Sequence, residues 1–494
     1  MKYQNPVIRG FYPDPSVCYA NGKFYLVTSS FQYFPGVPLF ESEDLVNWNQ
    51  IGHVLTRKTQ VMLDKVRSSG GVFAPTIRYN NGRFYMVTNN NSTNKNFYVY
   101  TDDIYGEWSD PIEVDQNGID PSLYFEDGRV YFVSNGHDDD GVNGVVQCEI
   151  NIETGEKISK SKCIWQGSGG RYLESPHVYK IGEYYYAMVA EGGTEYGHMI
   201  TYARSKSIWG PYEDYPNNPV LTNRNKAPYL IQAIGHGDLI QNESGDWYML
   251  SLGFRQIDTW MPFHHLGREV YLTPAQFDED GWFTVGKDGT TDEEYEIPGN
   301  FTQMRKNLFT FDNTNWDIDW CYMRYMHPEN YILSDEKVVL TGTDITLDDV
   351  DSPTFIGLRQ IDFDMECTSD VTLSAASSGE AGITLYMCEN EHYEVAIQKR
   401  NDDFYGILRL NIGGIKHIEN DIKLTSDSAT LTVRSDSLNY KFYISENGVE
   451  TYLGTGKTKY LSSEVSEGFT GTITALYAVG DCEAAFTGFA CRYN

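Results

Sequence analysis

The chain has 494 residues, with 38 Lys plus Arg against 69 Asp plus Glu and a formal net charge of -31. Its length exceeds the usual single domain and argues for two, and 40% hydrophobic with 22% charged residues describes a folded chain rather than a disordered one. A surface this acidic repels phosphate backbones and anionic membranes, which argues against nucleic-acid or membrane binding as the principal role.

The opening stretch, MKYQNPVIRGFYPDPSV, lacks the apolar core of a secretory leader. No run approaches the roughly 18 to 20 apolar residues that span a bilayer. Eight cysteines are spread over the chain with no CxxC among them. These features predict free thiols in a reducing, cytoplasmic setting and give no support to a zinc or redox motif.

One pattern then recurs five times: DPSVCYANGKFYLVT at 14–28, APTIRYNNGRFYMVT at 74–88, DPSLYFEDGRVYFV at 120–133, SPHVYKIGEYYYAMV at 175–189 and HGDLIQNESGDWYML at 236–250. Each copy is a short apolar strand, a polar turn ending in Gly and an aromatic-rich strand, which is hairpin chemistry. The intervals leave room for four strands per repeat, and helical periodicity is hard to find. The repeats therefore predict an all-β protein with a five-bladed β-propeller over residues 1–296. A sandwich with coincidental hairpins is the rival, and the repeated turn offset weighs against it. EIPGN at 296–300 reads as a linker. Segments such as AGITLYMCENEHYEVAIQK and ATLTVRSDSLNYKFYIS predict a two-sheet β-sandwich over 305–494.

In a propeller the innermost strands flank the central axis, so their first residues converge at one mouth of the channel. Asp14 and Asp120 hold the same position in repeats one and three, both before Pro-Ser. Glu174 sits one place earlier in repeat four, Ala74 is the apolar counterpart in repeat two, and His236 stands near the position in repeat five. Asp before Pro is common in turns, so one such pair carries little weight. Two in register beside a Glu argue for a shared site. Three close carboxyls cannot all ionise cheaply, and the outcome is a protonated acid beside an ionised base. That division of labour suits glycoside hydrolysis.

NPVIRGFYPDPSV, GIDPSL, ESPHVYK and GHGDLI, taken in this order, resemble glycoside hydrolase family 43, in the branch that joins a propeller to a sandwich and contains β-xylosidases and α-L-arabinofuranosidases. The resemblance implies that Asp14 is the general base, Glu174 the general acid and Asp120 the residue that tunes and orients the acid. It implies inversion of the anomeric centre, with acid and base roughly 6.5–9.5 Å apart to admit a water. It further implies that His236 helps to hold a hydrated calcium ion, although a lone imidazole is an unusual ligand for so hard a cation. Arg268 in LGREVYL matches an arginine that contacts the sugar and its neighbouring carboxylate. Phe31 matches a residue of the substrate-binding mouth. Phe73 stands where relatives often carry Trp, which leaves a smaller stacking surface and leans toward the arabinofuranosidase side. Phe469 in GFTG matches a sandwich residue that closes the pocket of exo-acting members. Plain packing is the competing reading for all three Phe, and a surface ion pair for Arg268.

The expected function is exo-acting release of terminal arabinofuranose, xylose or both from short plant-derived oligosaccharides. No organic cofactor is implied, and a homo-oligomer is compatible with the sequence. Two alternatives compete with this reading. A fructan or sucrose hydrolase shares the architecture, but the chain has PDPSV and LESPHV where those enzymes carry Asn-Asp-Pro-Asn-Gly and Glu-Cys motifs. A non-catalytic sugar-binding propeller would not need three carboxylates in register.

Overall fold

The computed structural model describes all 494 residues, 1–494. Five four-stranded antiparallel sheets follow one another along the chain, each built from one continuous stretch of sequence. Their innermost strands are Ser16–Ala20, Thr76–Asn80, Ile119–Glu126, Glu174–Ile181 and Ile231–Gln241. These are the five strands that open the sequence repeats.

The repeated turns explain why the hairpins form. Asn21-Gly22, Asn81-Gly82 and Asp127-Gly128 all have positive φ at both residues, as a two-residue type I′ turn requires. They connect the directly paired ends Ala20 and Lys23, Asn80 and Arg83, and Glu126 and Arg129. No blade borrows a strand from the opposite terminus. The ring closes instead through Lys2–Gln4, which pairs antiparallel with Glu294–Glu296, and through a bridge from Ile8 to Val270. Residues just beyond the last blade therefore act as a clasp.

From Leu308 onward the chain forms two stacked sheets, one of eight strands and one of six. Strand Met365–Ala375 shows the alternation of a sheet with one face in the core, with buried Met365, Cys367, Ser369, Val371 and Leu373 separated by more exposed residues. All-β architecture with a propeller and a sandwich is thus observed.

The two units are fastened together. Phe11, Phe31 and Tyr33 of the first blade pack against Phe355, Tyr386, Ile473 and Tyr477 of the six-stranded sheet. Each fully buried side chain of this size contributes about 1.5–3 kcal/mol. Tyr33–Phe34 also pairs as a strand with Tyr322–Met323. Arg255 donates to both oxygens of Glu269 at 2.8 Å and to Asp362 of the sandwich at 2.8 Å. This packing fixes where the sandwich loops meet the propeller mouth.

Candidate active site

Asp14, Asp120, Glu174 and His236 come together at one mouth of the propeller, in a pocket with about 420 Å³ of empty space. Arg268, Phe31, Phe73 and Phe469 line the same pocket. All eight residues singled out from the sequence thus border one space. Residues not singled out from the sequence complete the lining: Ala74, Ile119, Thr194 and His198.

Local backbone conformation explains how the carboxylates reach the axis. Asp14, Asp120, Ser175 and His236 hold equivalent places in blades one, three, four and five, and all are left-handed, with φ of 59°, 51°, 54° and 43°. For residues other than Gly this costs about 1–3 kcal/mol each and is retained where the surroundings impose it. In blade three the pairing register shifts between Ile119 and Ser122, and in blade four between Glu174 and His177. Such bulges re-aim side chains at sheet ends. They account for the offset of Glu174: Ser175 occupies the left-handed slot and donates its backbone N–H to Asp120 at 3.1 Å.

The loop that carries Glu174 is anchored by the fully buried Glu191. Its carboxylate accepts from Ser168 Oγ at 2.6 Å, from Gly170 N at 3.0 Å and from Thr201 Oγ1 at 2.6 Å. Nothing in the sequence pattern marked Glu191, because it lies in the second strand of its blade.

The three carboxyls differ in their surroundings. Burial pushes Asp14 upward, but Arg268, His236 and Ser29 outweigh it and hold its pKa below the usual value. Arg268 Nη1 lies 2.9 Å from Asp14 Oδ1, and Ser29 Oγ donates to Oδ2 at 2.5 Å. Burial and the Asp14 charge raise Glu174 to about 7, against the opposing pull of Arg268. Burial, Glu174 and Asp14 push Asp120 well above the ordinary range. The site therefore sets one carboxylate held toward its ionised form beside a pair pushed toward the protonated form, the arrangement acid–base catalysis needs.

Arg268 is positioned by Thr194 Oγ1 at 3.0 Å and by the carbonyl of Phe469 at 3.2 Å, so a sandwich loop holds a propeller cation. Phe31 stacks on Phe469 with centroids 6.2 Å apart and packs against Phe73 at 5.3 Å. These rings form an apolar wall opposite the carboxylates. Phe31 lines the pocket and is 2% exposed.

Below the mouth a second polar layer seals the axis. Asp238 pairs with Arg78 at 2.8 Å and accepts from Ser16 Oγ at 2.7 Å and Tyr179 OH at 2.5 Å. Arg78 also donates to His177 at 2.9 Å. His236 Nδ1 stands 3.6 Å from Asp14 Oδ1. No cluster of three or more His, Cys, Asp or Glu is grouped to hold a metal, and the carboxylates of Asp14 and Asp238 are already committed. The donor set offers no cage of protein oxygens, so a hard cation at the axis would depend on His236 and water molecules.

Residues 3–283 match the family described as glycosyl hydrolases family 43, and residues 309–491 match the β-xylosidase C-terminal concanavalin A-like domain. The chain is 38% identical to a non-reducing end α-L-arabinofuranosidase of Bacteroides ovatus, over 98% of this chain and 92% of that one. It is 34% identical to a xylosidase/arabinosidase of Butyrivibrio fibrisolvens, over 96% and 95%. Among solved structures, the xyloglucan-locus GH43B protein of Bacteroides ovatus superposes with a TM-score of 0.93 at 36% identity, covering 100% of both chains. A xylan β-1,4-xylosidase of Bacillus halodurans superposes with a TM-score of 0.89 at 28% identity, covering 99% of each.

Proposed function

The chain belongs to glycosyl hydrolase family 43 and is a glycosidase, and we propose that it inverts configuration while releasing a terminal arabinofuranose or xylose from arabinoxylo-oligosaccharides. The observation that carries this reading is the convergence of Asp14, Asp120 and Glu174 on one small pocket, with Arg268 2.9 Å from Asp14.

In the proposed reaction Asp14 takes a proton from a water as the water oxygen bonds to the anomeric carbon. The bond from that carbon to the leaving oxygen breaks, and its electron pair is protonated by Glu174. The products are a free sugar of opposite anomeric configuration and a shortened oligosaccharide. Asp14 ends protonated and Glu174 ionised, and exchange with solvent restores both. Asp120, tied to the N–H of Ser175, orients the acid beside it. Arg268 keeps Asp14 ionised and offers a donor to a sugar hydroxyl. Phe469 and the rings behind it close the far wall, which supports attack on a chain end rather than on a threaded chain.

Relatives named for arabinofuranosidase, xylosidase and combined activities support a pocket that accepts either pentose. We further propose a water-held calcium at His236, which would supply positive charge at the axis. A reducing, cytoplasmic setting is supported by eight free thiols. Cys367 and Cys491 remain unlinked even though they are directly paired across a sheet.

Proton NMR of the first sugar released from an aryl α-L-arabinofuranoside or β-D-xyloside tests the reading. The anomer opposite to that of the substrate is expected first. Initial release of the same anomer would exclude a single displacement.

A further inference from the structure

Away from the pocket, one buried cation in the seam between propeller and sandwich has no counter-charge. Arg359 ends the sandwich strand Thr354–Arg359. Its guanidinium lies against the propeller, 4.6 Å from the ring centroid of Tyr12 and 5.9 Å from that of Phe11. The residue is 3% exposed, and none of its Nε, Nη1 and Nη2 atoms has a hydrogen-bond partner. The other buried arginines are Arg204, Arg255, Arg268 and Arg324, and each of them pairs with a carboxylate. Taking a cation out of water with neither a counter-charge nor an acceptor is heavily penalised.

The groups around Arg359 do not cancel its charge. His53 Nδ1 lies 3.0 Å from the carbonyl of Asp317, and burial and the Arg359 charge hold its pKa down to about 3, so it is neutral. Tyr12 is neutral too: burial raises its pKa against the pull of Arg359, and its hydroxyl donates to Gln50 Oε1 at 3.3 Å. The charge of Asp319 reaches Tyr12, but its carboxylate is committed to Lys306 at 3.1 Å and to the N–H of Asn315 at 2.6 Å. A second buried donor, Tyr33 OH, flanks the same Phe11 ring and also lacks a partner. The seam thus offers a positive charge and a spare hydroxyl, and what it lacks is an acceptor.

We propose that this seam binds one small monovalent anion of the halide class on the guanidinium edge of Arg359. One cation among neutral groups balances a single negative charge. A multivalent oxyanion would bring surplus charge into a buried place and lose far more hydration. The site lies where two segments of the catalytic mouth are rooted. Tyr12 donates its backbone N–H to the carbonyl of Arg268 at 3.0 Å and stands two residues before Asp14. Arg359 is paired with Ile473, and Gln360 donates its N–H to the carbonyl of Thr472 at 3.1 Å, just beyond the turn that carries Phe469. A bound anion would brace the docking of the sandwich onto the propeller. The proposal does not depend on the sugar that the enzyme releases.

The test uses the purified full chain, with sodium chloride or sodium bromide exchanged for sodium gluconate at a constant ionic strength of about 0.15 M. Wild type is expected to melt at least about 2 °C higher in either halide, because a ligand that binds only the folded state stabilises it. Arg359→Met removes the charge and keeps the bulk, and its melting temperature is expected to be the same in halide and gluconate. An equal halide effect on wild type and Arg359→Met would place the ion elsewhere and overturn the proposal. Wild-type crystals grown in bromide are expected to show an anomalous peak beside the Arg359 guanidinium, a readout that stands even if Arg359→Met does not fold. A peak there with no halide effect on wild-type melting would mark an adventitious ion only and overturn the proposal, as would the absence of a peak.

Discussion

Arg268 and Asp14 are 254 residues apart in sequence and 2.9 Å apart in space, both buried at the propeller mouth. The guanidinium holds the carboxylate ionised in a place where burial alone would neutralise it. It also pulls against the upward shift of Glu174. Replacing Arg268 by Met is therefore expected to lower kcat/KM by 10²-fold or more, on the order of the loss of one preorganised charge contact. The alkaline limb of any residual pH–rate profile is expected to move upward, because Glu174 would hold its proton to higher pH.

In the wild-type enzyme the alkaline limb belongs to Glu174. The acid must be protonated to work, so kcat/KM is expected to fall as pH rises through about 7. A flat profile from pH 6 to pH 9 on a poorly activated substrate would assign the acid elsewhere.

The same shift predicts a stability effect. A carboxyl whose folded pKa is raised favours the neutral form in the native state. Its contribution is fully present below the unfolded value of 4.5 and is lost as pH rises through about 7. Glu174→Gln removes that penalty. The variant is expected to melt about 2 to 4 °C above wild type at pH 8, with the difference shrinking at pH 4.

Deeper on the axis, Asp238→Asn leaves the Arg78 cation without its carboxylate in a buried site. Breaking one partner of such a pair costs about 3–5 kcal/mol. Chemical denaturation is expected to show that loss, whereas the outer pair Lys95–Glu113 should give little when broken, both partners being exposed.

For calcium, dialysis against EDTA is expected to lower the melting temperature of wild type and not that of His236→Ala, with added calcium restoring the difference. Identical melting curves before and after chelation would dismiss the ion.

Much of the architecture was legible because the fold repeats itself. Turns such as Asn21-Gly22 and Asp127-Gly128 recur at one offset from the axis residue, so register in sequence became proximity in space. That logic found Asp14, Asp120 and His236, and it placed Glu174 one step out of line, an offset the bulge in blade four explains. It could not find Thr194, His198 or Glu191. These lie at the end of the second strand of blade four and in the loop that follows, where blades differ in length and nothing repeats. Nor could periodicity reach Phe469, which enters the pocket from another fold unit; only the family likeness pointed to it. The aromatic wall was legible as residues but not as a wall, since the stacking of Phe31 on Phe469 depends on how the sandwich docks.

The division of labour between Asp14 and Glu174 is tested most directly by leaving-group dependence. Wild type and Glu174→Gln would be compared on an aryl glycoside with a strongly acidic phenol and on an oligosaccharide with the same terminal sugar. Protonation of the leaving oxygen is dispensable for the first and required for the second. The expected result is near wild-type turnover by Glu174→Gln on the activated glycoside, with a loss of about 10²- to 10⁴-fold on the oligosaccharide. An equal loss on both substrates would contradict the assignment of Glu174 as the proton donor.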